Sequence, residues 1–139
     1  MIPVIESERA HPYPPRVTAF TQTFWDALAE GRFITTASVE TGQLTFPPKP
    51  VSPHAWGEDV KWVELSGRGT LYAYTTVHAS PAAFVGDLPY RICIVDLEEG
   101  IRLATRLIGP DEARIGGAVE LVAVRHTDCM SYAARALGA

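Results

Sequence analysis

The sequence has few cysteines, few lysines and no long apolar run. Its 139 residues include two cysteines, too few for the disulfide framework of a small secreted domain. One of them, Cys93, lies in the apolar run 92–95 and is interpreted as a small buried hydrophobe. Because no apolar stretch reaches the ~18 residues of a transmembrane helix and no signal-peptide pattern is present, we expect a cytoplasmic protein without membrane contact.

Basic residues are also scarce. Lysine occurs only at Lys49 and Lys61, the arginines are scattered, and the net charge is −4. Affinity for nucleic acid depends on clustered lysine and arginine. The charge therefore argues against a nucleic-acid partner, and a single-stranded nucleic-acid-binding protein is kept only as a remote alternative.

No catalytic motif is present. The chain has no H-E-x-x-H zinc helix, no G-x-S-x-G nucleophile elbow and no glycine-rich phosphate loop. The acids Asp96, Glu98 and Glu99 are interpreted as a solvated hairpin turn. His78 is the best single candidate for proton transfer, but a strand-end histidine that hydrogen-bonds to a loop is the commoner arrangement. We therefore predict no catalytic residue, no bound cofactor and no metal.

The first third of the chain predicts a proline-rich arm and one helix. Residues 1–16 contain four prolines and are interpreted as an extended arm rather than an element. Residues 18–30 predict a helix with Thr18 as N-cap, since Phe20, Phe24 and Leu28 recur every four residues. This apolar stripe packs either on the protein's own body or on a partner, and the sequence leaves both open.

The segment 17–59 also contains the frame of a zinc ribbon without zinc ligands. Strands are predicted at 33–36 and 43–46, and the position pairs 38/41 and 52/55 have the spacing of a C-x-x-C…C-x-x-C site. The four positions hold residues that are poor zinc ligands, namely Ser38, Thr41, Ser52 and Ala55. We expect a metal-free ribbon in which packing by Phe46, Trp56 and Trp62 replaces the metal.

The remaining sequence predicts a barrel over 60–128 and a tail or short helix over 129–139. Strands are predicted at 60–65, 68–78, 90–97, 101–108 and 118–125, a pattern typical of a five-stranded OB-fold Greek-key barrel. The period-2 alternation from Thr70 to His78 predicts that Tyr72, Tyr74 and His78 share one face. The fold class is therefore mainly β, with an N-terminal helix and a ribbon-like segment.

Several motifs occur in an order that resembles the "domain of unknown function 35" family, over roughly residues 20–125. The matching pieces include Phe24-Trp25-Asp26-Ala27-Leu28 with Gly31-Arg32, Gly42-Gln43-Leu44-Thr45-Phe46-Pro47-Pro48-Lys49-Pro50, Pro53-His54, Ser66-Gly67-Arg68-Gly69-Thr70, Pro89-Tyr90 and Ile115-Gly116. Members of this family join a rubredoxin-like zinc ribbon to an OB-fold barrel. The missing cysteines are the departure from the family pattern.

The resemblance implies a non-catalytic subunit that docks on a thiolase-superfamily enzyme and helps shape its acyl-CoA channel. The partner would be a thiolase, an acyltransferase or a steroid side-chain aldolase, in a hetero-oligomer whose coenzyme A thioester this chain contacts. The alternative is a stand-alone OB-fold module that binds acyl-CoA or another small ligand. The candidate partner or acyl-CoA surface consists of Phe20, Phe24, Trp25, Phe46, Tyr72, Tyr74, His78 and Tyr90.

Overall fold

The computed structural model describes residues 1–11, 14–51, 59–109 and 113–137. The predicted extended arm contains a short strand, β1 (Val4–Glu6), which pairs in parallel with a barrel strand. Ile2 precedes it, is buried, and donates its backbone N–H to the Gly31 carbonyl at 2.7 Å. The interpretation of residues 1–16 as lacking any element is therefore wrong, because the arm gains main-chain hydrogen bonds along the barrel.

The helix is shorter than predicted. Helix α1 spans Gln22–Ala29 and buries Phe24, Ala27 and Leu28, which lie on one face at helical spacing. The N-cap position is held by Thr21 and not by the predicted Thr18. Thr18 belongs to a separate turn before the helix, in which the Thr21 hydroxyl accepts the Thr18 backbone N–H at 2.9 Å and the Thr18 hydroxyl accepts the Thr21 backbone N–H at 3.1 Å. Among the described residues, no helix has the length and apolar character needed to cross a membrane.

The ribbon is a three-stranded antiparallel sheet with the order β3-β2-β4. Its strands are β2 (Phe33–Ser38), β3 (Leu44–Thr45) and β4 (Val60–Leu65). All six residues of β2 are buried, including Thr35, Thr36 and Ser38. Segment 60–65 was predicted as the first barrel strand. That prediction is wrong, because β4 pairs along its whole length with β2.

The barrel consists of five strands and a short 3-10 helix at Ala82–Asp87. The strands are β5 (Arg68–Val77), β6 (Tyr90–Leu97), β7 (Arg102–Ile108), β8 (Ala118–Arg125) and β9 (Met130–Ala136). They follow the order β8-β5-β6-β7-β9, and pairing of β9 with β8 closes the barrel. The predicted mainly β architecture with a five-stranded OB-type barrel is confirmed.

The closing strand replaces the predicted C-terminal tail or helix. Strand β9 runs parallel to β7 and antiparallel to β8. Its Ala133 and Ala134 are both buried. Alanine has the highest helix propensity of the residues, but propensity is a small term per residue, and pairing with two neighbouring strands outweighs it. Barrel closure therefore depends on a segment whose local sequence does not predict a strand.

The core has two connected parts. The barrel interior is filled by alternating inward residues of the strands, namely Leu71, Cys93, Val95, Leu97, Leu103, Leu107, Val119 and Leu121. At one end of the barrel, four rings from the helix, the ribbon and β9 meet. We call this set, Phe24, Phe33, Phe46 and Tyr132, the aromatic junction. Its neighbouring ring centroids lie 5.3–6.1 Å apart, which is the usual range for attractive aromatic pairs.

Candidate functional site

Part of the predicted surface belongs to the interior. Phe24 is 3% exposed, and Phe46 is half-buried against Phe33 and Tyr132. Burial in the aromatic junction raises the pKa of Tyr132. Phe24 is thus a core residue rather than a partner contact. Phe46 fixes the ribbon to the barrel, so its predicted packing role agrees with its position.

Two other aromatic residues lie at the edge of the junction. Trp25 is half-buried and packs edge-on against Phe24, with ring centroids 4.9 Å apart. Phe20 precedes the helix and stacks on Trp62 of β4 at 5.3 Å. This stack lies between the chain entering α1 and the ribbon sheet. Trp56, to which a similar packing role was assigned, lies outside the described residues.

Two tyrosines lie under arginines on the outer surface of β5, β6 and β7. The Arg102 guanidinium lies 3.8 Å from the centroid of the Tyr72 ring, and that of Arg106 lies 4.2 Å from Tyr90. Ile92, Ile94 and Ala104, all at least partly exposed, occupy the same face of the sheet between the two pairs. We call the surface formed by Tyr72, Tyr90, Arg102 and Arg106 the arginine–tyrosine face.

Carboxylates hold both arginines in place. Asp96 accepts two bonds from Arg102, at 2.6 Å from Nε and 3.1 Å from Nη2. Asp87 accepts a bond from Arg106 at 2.9 Å. Hydrogen bonds from these guanidiniums hold the pKa of both carboxyls below the ordinary range. The face is therefore pre-organised, because each arginine is fixed on one side by an acid and on the other by a ring.

Tyr72, Tyr74 and His78 do not share a face, contrary to the prediction. A β-bulge interrupts the pairing of β5 with β6 between Leu71 and Ala73, so Tyr72 is an extra residue. After the bulge, Tyr74 lies opposite the buried Cys93 and donates its hydroxyl to the Ala113 carbonyl at 3.2 Å. His78 follows the end of β5 and is exposed.

The structure also contains a pocket that the sequence analysis missed. A cavity of about 330 Å³ lies between the N-terminal arm, the end of the 3-10 helix and the outer surface of β7, β8 and β9. We call it the arm pocket. At its rim, Asp87 bridges Arg9 at 3.0 Å and Arg106 at 2.9 Å. These three residues are far apart in the sequence, and no local pattern marks them as neighbours.

A histidine–serine pair lines the same pocket. His126 Nε2 lies 2.8 Å from the Ser131 hydroxyl, which is the spacing of a general base and a nucleophile. Such a pair also needs a third group that orients the histidine through its other nitrogen. Within the described part of the chain, His126 Nδ1 is buried and has no hydrogen-bond partner. The pair therefore lacks the orienting group of a catalytic triad.

The ribbon turn does not fit a zinc ion. Ser38 is 2% exposed, and its hydroxyl accepts the Thr41 backbone N–H at 3.3 Å. A serine and a threonine supply no thiolate or imidazole ligand. Ser52 and Ala55, the other two ligand positions, lie outside the described residues. Over the described ranges, no group of three or more His, Cys, Asp or Glu side chains is placed to hold a metal ion.

The barrel and the ribbon are similar to parts of several known proteins. The family model of the C-terminal OB-fold domain of ChsH2 matches residues 62–124. A solved structure described as an Ltp2-ChsH2(DUF35) aldolase superposes with a TM-score of 0.74 and 30% identity, covering 88% of this chain and 98% of that one. A DUF35 domain-containing scaffold protein of Pyrococcus furiosus is 30% identical over 71% of this chain and 74% of its own length.

Two further relatives are named as subunits of acyl-CoA enzymes. The benzoylsuccinyl-CoA thiolase subunit BbsA of Thauera aromatica is 33% identical over 77% of this chain and 76% of that subunit. The 3-oxo-4,17-pregnadiene-20-carboxyl-CoA hydratase α subunit of Mycobacterium tuberculosis is 33% identical over 88% of this chain. The chain spans only 38% of the length of that α subunit, and 31% and 60% of two other relatives.

Proposed function

This chain belongs to the DUF35 family, and on that premise we propose that it is a non-catalytic accessory subunit of a thiolase-superfamily enzyme. The observation that carries the proposal is the match to the Ltp2-ChsH2(DUF35) aldolase chain, which this protein covers over 98% of its length at 30% identity. A thiolase subunit is similar over most of its length as well. The chain would dock on the large subunit and help shape its acyl-CoA channel.

The arginine–tyrosine face is the surface that fits this role best. Tyrosine and arginine are enriched among the residues that dominate the binding energy of protein interfaces. Tyr72 is 49% exposed, although the Arg102 guanidinium covers one side of its ring. Because both arginines are already fixed by carboxylates, docking would immobilise few side chains and would lose little conformational entropy.

The chemistry would then belong to the partner. The nucleophile and the general base would lie on the large subunit, and this chain would contact part of a coenzyme A thioester without holding a cofactor of its own. The two cysteines, both unpaired in the described part of the chain, agree with a reducing cytoplasmic compartment, which we include in the proposal.

An affinity purification tests the proposal. The tagged chain is purified from its native cells beside a Tyr72→Ala/Tyr90→Ala variant, and co-purifying proteins are identified by mass spectrometry. We expect a thiolase-superfamily protein in stoichiometric amount with the wild type and much less with the variant. Val39→Ala, a change at a 56% exposed residue of the ribbon turn, serves as the control for a lost surface side chain. Recovery of the chain alone would contradict the proposal.

A stand-alone binding module is the second candidate, and the arm pocket favours it. The pocket lies beside the loops β5–β6 and β8–β9, which correspond to the loops that bind ligands in other OB-fold barrels. Its volume of about 330 Å³ fits a small molecule or one part of coenzyme A. Tight binding of coenzyme A to a monomeric chain in calorimetry would favour this candidate over the accessory subunit.

A further inference from the structure

Strand β5 leaves one edge open after its bulge. On one side it pairs with β6 as far as Val77, but on the other it pairs with β8 only over Arg68–Thr70. The last bonds on that side join Leu71 to Gly116 and Gly117. Within the described residues, the stretch Ala73–Val77 therefore has no strand on its second side. We call this stretch the β5 edge.

The open edge is long enough to bind another strand. In an extended strand, every second residue points its N–H and C=O groups away from the neighbouring strand. An unpaired row of such groups is a template for pairing with another chain. Tyr74, Thr75 and Thr76 are all exposed, and no strand among the described residues pairs with them on this side. The groups that match it best belong to another extended backbone, as in peptide recognition by strand addition.

The β5 edge also lacks the features that protect other edges of this molecule. Strand β1 is three residues long, follows Pro3 and contains the exposed Glu6. Strand β3 has two residues and is followed by Pro47. Strand β4 carries the exposed Lys61 and Glu64. Natural β-proteins use short strands, prolines and charges of this kind against unwanted pairing.

By contrast, the β5 edge reads Ala-Tyr-Thr-Thr-Val, with neither a charge nor a proline. Its residue types are those that favour pleated strands. The bulge at Tyr72 ends the pairing with β8, but the register beyond it is regular to Val77. Apart from the bulge, which can itself limit pairing at an edge, the β5 edge carries none of these protective features, and the five residues beyond the bulge are suited to pairing with another strand.

We infer that the β5 edge binds an extended, uncharged segment of the partner subunit as an added β-strand. This inference rests on the proposed function, because it names how the accessory subunit docks. The added strand would lie next to the arginine–tyrosine face, since Tyr72 belongs to that face and directly precedes the edge. One continuous surface would then supply main-chain hydrogen bonds and the Tyr72–Arg102 contact together.

Amide hydrogen exchange tests the inference on the complex of the full chain with the thiolase-superfamily subunit that co-purifies with it. Free amides on an open edge exchange quickly, and hydrogen bonding to an added strand slows them. We expect peptides that cover Ala73–Val77 to exchange at least about tenfold more slowly in the complex than in the isolated chain. Unchanged exchange at this edge in a stable complex would overturn the inference while leaving the proposed function standing.

Two lysine variants separate edge pairing from contact with one face. Consecutive residues of a strand point to opposite faces, so Thr75→Lys and Thr76→Lys place the charge on different sides of the same edge. Pairing at the edge predicts that both variants weaken the complex by roughly tenfold or more, because lysine protects edges against pairing. If only one of the two variants weakens the complex, the partner contacts one face of the strand rather than its edge. That result would overturn strand addition.

Two controls complete the test. Thr23→Lys makes the same charge change at an exposed residue of α1 and is expected to leave binding unchanged. Thermal melting of each variant establishes that it is folded. Sedimentation of the isolated chain tests whether a second copy of this chain occupies the edge instead of the partner subunit. A dimer that both β5-edge variants dissociate would show that a second copy of this chain occupies the edge, against the inference. If no thiolase-superfamily subunit co-purifies, the proposed function fails and the inference fails with it.

Discussion

Substitution of Gly67 by alanine tests how the N-terminal arm is held. Gly67 lies between β4 and β5 with a φ of +79°, and it is buried under Ile2. A Cβ atom at this position would overlap Cγ2 of Ile2 and would lie 3.7 Å from Cβ of Leu121. Neither Ile2 nor Leu121 has free space around it, since their exposures are 5% and 0%. Alanine therefore introduces both a backbone strain and a steric overlap.

The backbone strain and the steric overlap contribute separately to the cost of the substitution. An alanine in the left-handed region costs about 1–2 kcal/mol. Forcing an extra methyl group into a packed site adds about 1–3 kcal/mol. We therefore expect Gly67→Ala to lower the free energy of unfolding by roughly 2–5 kcal/mol. Gly42 has a similar φ of +74° and no heavy atom within 4 Å of a built Cβ, so Gly42→Ala should show only the first cost.

Urea unfolding of both variants, followed by circular dichroism, measures the difference. A third measurement places Gly67→Ala in an Ile2→Ala background, where the overlapping methyl group is gone and the cost of Gly67→Ala should fall to that of Gly42→Ala. If Gly67→Ala and Gly42→Ala are equally destabilising in the wild-type background, Ile2 does not pack on Gly67. That result would refute the packing of the arm on Gly67.

Three further predictions follow from the ribbon, the arm pocket and the barrel core. EDTA should leave the melting temperature unchanged, because hydroxyl groups occupy the described ligand positions of the ribbon; a drop of several degrees would contradict this. Asp87→Asn should lower the free energy of unfolding at pH 7 by about 1–3 kcal/mol, because it removes the carboxylate between Arg9 and Arg106. The pKa of Asp87 is lowered from its ordinary 3.8, so its stabilising effect is present above that pH and is lost as the pH falls through the lowered value. The difference between wild type and variant in urea unfolding should therefore shrink on acidification, and a constant difference would contradict the assigned role. Burial raises the pKa of Cys93 to about 11, so in a Cys129→Ser variant a thiol reagent at pH 8 should modify the chain only after unfolding; rapid modification of that variant in its native state would contradict the burial of Cys93.

The alternation of apolar and polar residues predicted the strands that have one buried face and one more exposed face. In β6, the buried Cys93, Val95 and Leu97 alternate with more exposed neighbours, and the predicted bounds 90–97 agree with the structure. The same reasoning failed for β9, because an alanine-rich segment carries little information about its partners. Its conformation is fixed by β7 and β8, which are distant in the sequence.

Prediction of the candidate site from the sequence was limited in the same way, because contacts between distant segments are not encoded in local patterns. Tyr72 and Tyr90 were predicted as surface aromatics, but their arginine partners were not, because a strand sequence does not give the register of its neighbours. The single extra residue at Tyr72 changed the face on which Tyr74 lies. Phe24 was assigned to a surface because helical periodicity shows one apolar stripe without showing what covers it. Here the aromatic junction covers it.

The arm pocket lay beyond prediction for a physical reason. Its central ion pairs connect Asp87 with Arg9 of the arm and with Arg106 of β7. A proline-rich arm has no periodicity that would place it on the barrel. Its position is set by main-chain bonds, such as that from the Ala123 N–H to the Pro3 carbonyl at 2.8 Å, and by side-chain contacts with residues distant in the sequence, such as the Arg9–Asp87 ion pair.

The central claim is that the chemistry lies on a partner subunit and that this chain supports it. The most direct measurement is acyl-CoA turnover by the purified chain, by the co-purifying thiolase-superfamily subunit, and by both together at equal concentration. We expect no turnover by the chain alone and a higher kcat/KM for the mixture than for the partner alone. Turnover of an acyl-CoA by the isolated chain, or a partner whose kinetics do not change when the chain is added, would contradict it.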